Sequence, residues 1–169
     1  GVHVTFLGTS EKNDRPIYLL RRNVLAVGER RLPVEQALYC APLESACSRL
    51  YFSGALALKC FPGEFGDNEA KWRHERAAYE TLAGLPFVPV LHEAGQTHGT
   101  RWILLERKPG HFLNNLYSLG VPRVFAGARD KASLACQLLL ALREMLGRGL
   151  YWNDLSAHNV LVRDGRIGL

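Results

Sequence analysis

The apolar spacing of this chain turns from mostly strand-like to mostly helical at Lys108-Pro109-Gly110, and that change limits the folds open to it. Upstream, short β-rich or alternating runs lie between turn formers, over 2–7, 17–27, 33–41, 49–53 and 55–61, with two more near 87–92 and 101–106. One helix interrupts them, over 68–83, with Asp67 as its N-cap and Gly84 as its stop. Downstream the spacing is helical. Leu134, Leu138, Leu142 and Met145 share one face of a helix over 131–146, behind an Asp130 cap and ahead of Gly147 and Gly149. A polar loop follows (151–158), then a short strand from Asn159 to Val162, an Asp164-Gly165 hairpin turn and a second strand from Arg166 to Leu169. The expectation is an α+β chain, a sheet first and helices after a Pro-Gly break, with no internal repeat.

Two charges sit where an apolar pattern leads one to expect none. In the run 55–61, alternation puts Ala57, Lys59 and Phe61 on one face and Leu56, Leu58 and Cys60 on the other, so Lys59 is the strand's only charge. In the helix 68–83, Trp72, Glu75, Tyr79 and Leu82 fall within one arc at 100° per residue, whereas Glu80 points away. Glu75 is therefore a carboxylate on an apolar face and needs a cationic partner or a special role. Each residue alone has an ordinary use as well. A strand lysine can snorkel to solvent, and Asp154 and Asn159, in the tail loop, can simply form turns.

Composition excludes several classes. With 169 residues and 47% hydrophobic content the chain can bury a core as one globular domain. A net charge of +5 favours anionic partners, but no block of five or six basic residues occurs and no aromatic-basic stripe, so nucleic acid is not expected. Cys40, Cys47, Cys60 and Cys136 form no Cys-x-x-Cys pair, and neither a metal centre nor a redox motif follows from them. No apolar run reaches the roughly 18 residues that span a bilayer, and the expected location is the cytoplasm.

Phosphoryl transfer requires cations on the phosphates, metal ligands, and a carboxylate that orients or deprotonates the attacking hydroxyl. The order found here supplies candidates for each: a strand lysine, a helix glutamate, a linker, a long helix, then a loop with Asp154 and Asn159 five residues apart. From about residue 33 to the end, that order and those residues resemble the protein kinase superfamily. The resemblance implies a bilobal fold, with an antiparallel-sheet N-lobe over 33–107, a hinge at 108–111 and a partial helical C-lobe over 112–169; strands over 1–32, without a counterpart in the family, form an N-terminal extension. It also implies ATP and Mg²⁺ as cofactors. Ala55 to Phe61 looks like the family's lysine strand, so that Lys59 would contact the nucleotide phosphates and Glu75 would be its partner. Ile103 to Gly110 is similar to the strand-to-hinge segment that holds adenine, with Leu105 in the gatekeeper place. Ser45, Ala57, Leu105, Glu106, Lys108 and Leu161 are its implied nucleotide-binding residues. Trp152-Asn153-Asp154-Leu155 through Asn159 matches the catalytic loop, making Asp154 the catalytic carboxylate and Asn159 a Mg²⁺ ligand.

Departures from the family pattern narrow the expectation. The stretch where the family covers the phosphates, Ala41 to Ser48, contains no glycine. Asn153 stands in place of the arginine that pairs with a phosphorylated activation loop, and Ser156 in place of the protein-kinase lysine. The loop Asp154-Leu155-Ser156-Ala157-His158-Asn159 is more similar to the small-molecule branches of the superfamily, including bacterial kinases of lipopolysaccharide core sugars such as the 3-deoxy-octulosonic acid kinases. The acceptor expected from that likeness is an anionic sugar or lipid-linked hydroxyl, reached in the cytoplasm or at the inner membrane surface. The alternatives are a pseudokinase or nucleotide-binding scaffold and, less favoured, a Ser/Thr protein kinase. Where the sequence stops, at Ile167-Gly168-Leu169, the family continues into the Asp-Phe-Gly-like segment that holds the principal Mg²⁺, so the 169 residues by themselves are expected to be inactive or impaired.

Overall fold

The computed structural model describes residues 2–9, 16–22, 24–34, 36–40, 48–63, 67–113, 128–152, 156 and 159–169. Their elements are β1 (Val2–Thr9), β2 (Pro16–Arg22), β3 (Leu25–Val27), β4 (Arg30–Leu32), β5 (Gln36–Cys40), β6 (Arg49–Ser53), β7 (Leu56–Pro62), α1 (Asn68–Thr81), β8 (Leu91–Thr97), β9 (Thr100–Glu106), β10 (His111–Phe112), α2 (Ala128–Gly147), β11 (Leu161–Arg163) and β12 (Arg166–Gly168). The chain divides into two compact units, Gly1–Ala77 with Leu91–Arg107, and Ala78–Val90 with Lys108–Leu169. No helix among the described residues is long and apolar enough to cross a membrane.

In the first unit, seven strands form one sheet in the order β1-β2-β5-β6-β7-β9-β8, every neighbouring pair antiparallel. Register decides which side chains meet. Tyr51 lies opposite Leu58, Leu58 opposite Leu104, and Cys60 opposite Trp102, which lines up one face for the core. The β3–β4 hairpin packs onto it with Val27 and Leu32. Gly28 turns that hairpin at φ +56°, and Arg30 pairs with Glu93 of β8 at 3.1 Å. On the other face Ala57, Phe61, Ile103 and Leu105 are buried, each large side chain among them contributing about 1.5–3 kcal/mol. The α+β class and the alternation expected over 55–61 are both present.

The second unit holds α2, the last turn of α1, and a three-stranded sheet in the order β10-β11-β12. Its core gathers Leu82, Val88 and Met145, with Tyr79, Leu85, Phe87, Leu150, Trp152 and Leu169 against them. α2 ends in a Schellman motif. Leu150 N donates to Met145 O at 3.0 Å and Gly149 N to Leu146 O at 2.9 Å, with Gly149 at φ +76° and Leu150 packed in the same cluster as Met145. α1 has no basic residue in its own last turn. Arg148 supplies one from a distance: its Nη1 donates to Thr81 O at 2.8 Å and Ala83 O at 3.2 Å, on carbonyls that a helix end leaves without partners.

Several boundaries differ from the sequence expectation. The run 87–92 is not a strand, because Pro86 and Pro89 have no N–H to donate and Val88 turns into the core; the strand is β8, starting at Leu91. The run 17–27 is two strands that serve different sheets. Asp130 lies in the first turn of α2 rather than at its cap, since the helix begins at Ala128. Asn159 and Val160 precede β11. The tight connection of β8 to β9 runs through His98 and Gly99, at φ +47° and +77°, the handedness that two-residue hairpins require.

Two stability predictions follow from the packing. A Cβ on Gly95 would lie 2.6 Å from the buried Trp102 indole, so Gly95→Ala is expected to lower unfolding stability by about 1–3 kcal/mol in urea titration. Arg148→Met is expected to speed amide exchange selectively over 78–83, with a loss of about 0.5–1 kcal/mol.

Candidate functional site

The helix α1 is attached to β7 and β9 by polar side chains spaced along one stripe. At its N-terminus Asn68, only 1% exposed, donates from Nδ2 to Pro62 O at 2.8 Å. Glu69 pairs with Arg101 of β9 at 2.7 Å. One turn on, Trp72 Nε1 donates to Trp102 O at 3.0 Å. The next position on the stripe is Glu75, and both its oxygens lie 2.7 Å from Lys59 Nζ.

This two-pronged ion pair is the chemical centre of the first unit. Its side chains are 29% and 25% exposed, and the ammonium also lies 5.6 Å from the Phe61 ring centre. Partial burial makes the attraction stronger than at an open surface and makes loss of either partner costly, because the other charge would remain desolvated. Lys59 lies opposite Ile103 and Ala57 opposite Leu105, so Ala57, Lys59 and Leu105 share one face of the sheet. Glu106, opposite Leu56, alternates to the other face. Arg107 N donates to Ala55 O at 2.7 Å and continues the strand pairing to the end of the unit.

In the second unit, Asn159 is half-buried and closes a turn, its N–H donating to Ser156 O at 3.0 Å. Val160 beside it is buried, and its carbonyl accepts from Leu113 N at 2.8 Å. Leu161, half-buried, pairs with Phe112 and with Gly168. Lys108 packs its stem against Gly168 and donates from Nζ to Pro86 O at 3.4 Å. Gly110, at φ +144°, passes so close to Val162 that a Cβ would lie 2.9 Å from its carbonyl oxygen. Asp154 and Ser45, with Asn153 and His158, lie outside the described residues.

Lys59, Glu75, Ala57 and Leu105 are thus brought together in the first unit, and Asn159, Leu161 and Lys108 belong to the second. Asn68 and the Glu69–Arg101 pair were not expected from sequence. Asn68 carried a signal nonetheless, since it stands four residues before Trp72 and seven before Glu75 on the same stripe. Among the described residues no group of three His, Cys, Asp or Glu side chains gathers as a metal site.

No protein-family model and no curated protein sequence matches the chain. Solved structures do. Monomeric WbdD superposes with a TM-score of 0.63 at 19% identity over 95% of this chain and 40% of its own. A structure of WbdD described as a bifunctional kinase-methyltransferase gives 0.62 at 18% over 95% and 38%. The PknI kinase domain of M. tuberculosis gives 0.56 at 24% over 81% and 56%. The chain therefore spans about two fifths of the length of the WbdD structures and just over half of the PknI domain. With the antiparallel sheet, the lysine–glutamate pair and the helix-then-hairpin order already described, these superpositions show that the chain has a protein-kinase-like fold.

Proposed function

We propose that this chain carries the nucleotide-handling part of an ATP-dependent phosphotransferase. The observation that carries the reading is the Lys59–Glu75 pair, at 2.7 Å through both carboxylate oxygens. An ammonium held rigidly by a carboxylate can neutralise phosphate charge without reorganising when the nucleotide arrives, which is the form of catalysis phosphoryl transfer uses. Ala57 and Leu105 give the same face an apolar floor for a purine. Asn159 offers an oxygen donor of the kind Mg²⁺ takes alongside substrate phosphates, in a turn fixed by its own N–H. Asp154 orients the acceptor hydroxyl and takes its proton as the hydroxyl oxygen bonds to the γ-phosphorus and the bridging bond to ADP breaks.

The acceptor in this reading is a hydroxyl of a sugar, lipopolysaccharide-linked or free, or of another small molecule, handled in the cytoplasm or at the inner membrane surface. Three features support it: Asn153 and Ser156 in place of the residues of regulated protein kinases, the net charge of +5, and the likeness to WbdD, which has been crystallised with a kinase inhibitor. A second reading, a nucleotide-binding scaffold without turnover, is favoured by the glycine-free stretch 41–48.

Thermal shift with MgATP tests the nucleotide site. At about 100 times Kd the wild-type chain should gain about 2.7 kcal/mol, and Lys59→Met should gain none; equal shifts in both would exclude the assigned role of Lys59. Turnover separates the two readings. In a gene product that extends beyond Leu169, Asp154→Ala should cut kcat by about 10²–10⁴-fold, whereas a scaffold would show ATP binding with no turnover to lose.

A further inference from the structure

The β11–β12 hairpin is short, and β12 is the edge of its sheet. The hairpin closes through Asp164 and Gly165, at φ +49° and +72°, so Arg163 and Arg166 are the closing pair and exchange hydrogen bonds. The next pair, Val162 and Ile167, must then aim its peptide groups away from each other. On the outer edge of β12 this leaves the Ile167 N–H and the Gly165 carbonyl with no strand to meet them among the described residues. Two strands of three residues each make few backbone bonds, and a short hairpin of this kind gains from any further partner at its free edge.

Gln137 of α2 meets both. Its Nε2 donates to Gly165 O at 2.8 Å, and its Oε1 accepts from Ile167 N at 3.2 Å. One side-chain amide thus does what a neighbouring strand's peptide group would do. Only this orientation of the amide satisfies both partners, and Ser133, one turn earlier on α2, takes the remaining amide proton at 3.4 Å. Every residue involved belongs to the second unit.

We propose that Gln137 is a positioning residue of the phosphotransfer site: it takes the place of a strand at the edge of β12 and so fixes β11, which begins two residues after Asn159 and holds the side chain that supplies the metal-binding oxygen. This rests on the proposed role of Asn159. β11 is held on one side by two pairs to β10 and on the other by three pairs to β12, so freedom in β12 passes directly to the residues that lead into β11.

The test compares wild type with Gln137→Met, which keeps the stem and loses both bonds, and Gln137→Glu, which keeps the acceptor for Ile167 but at neutral pH has no proton for Gly165 O. Amide exchange by NMR without nucleotide and MgATP affinity by calorimetry are measured on the same samples. In Gln137→Met the Ile167 amide should exchange about five- to ten-fold faster and MgATP should bind more weakly by a comparable factor, with Gln137→Glu between it and wild type. Unchanged exchange in Gln137→Met would overturn the clamp. Faster exchange with unchanged MgATP affinity would overturn the positioning role and leave a purely structural one. A wild-type chain that binds no MgATP would overturn the proposed function, and the positioning role with it, and is told apart because the exchange measurement needs no nucleotide.

Discussion

The Lys59–Glu75 ion pair is the interaction around which the first unit is arranged. A lone lysine in the β7 face, or a lone glutamate on the inner stripe of α1, would carry a desolvation cost with nothing to offset it. Together they require α1 to lie on the β7–β9 face at one rotation and one height. Asn68, Glu69 and Trp72 hold that rotation from the N-terminal side. The core lies on the opposite face, under the β3–β4 hairpin, so the face that carries the ion pair keeps its charged groups part-exposed. That face carries the Lys59–Glu75 pair beside the Arg101–Glu69 pair, with Ala57 and Leu105 as apolar neighbours of Lys59.

The second unit has a different difficulty. Its strands are two or three residues long, and short elements leave a large share of their peptide groups without partners of their own. Side chains from elsewhere complete them. Arg148 closes the carbonyls at the end of α1, Lys108 reaches Pro86, and Gln137 lines the edge of β12. Backbone bonds do the same from Leu113 to Val160 and from Leu169 to Phe87. These are modest interactions one by one, about 0.5–1.5 kcal/mol net each. Their effect is to fix the positions of short segments that could not hold themselves.

Much of this is legible in the sequence. The alternation over 55–61 set the facing of Lys59, and the helical stripe set that of Glu75, because both periods are properties of the local backbone. Those periods place each charge on an apolar face; that the two charges meet each other follows from the resemblance to kinases and not from either period. Asp164-Gly165 announced its hairpin for the same reason, since few residue pairs adopt positive φ twice in succession. The run 87–92 misled because an apolar stretch of that length reads equally as a strand or as a core-filling loop, and only the two prolines argued against pairing. The segment 17–27 reads as one strand because no glycine or proline stands between Arg22, where β2 ends, and Leu25, where β3 begins.

The local, periodic features are therefore written in the chain itself: the α+β class, the faces of β7 and α1, the helix over most of 128–147 and the Asp-Gly hairpin. Everything that depends on register and distance in sequence comes from folding: that Ala57 lies against Leu105, that Glu69 finds Arg101, that Asn68 is buried beneath Pro62, and that Gln137 and Arg148 serve backbone groups 28 and 67 residues away. The physical reason is that a side chain's period is written in its neighbours along the chain. Its hydrogen-bonding partner is not, because that partner is chosen by which unpaired peptide group or charge the folded chain brings within about 3 Å.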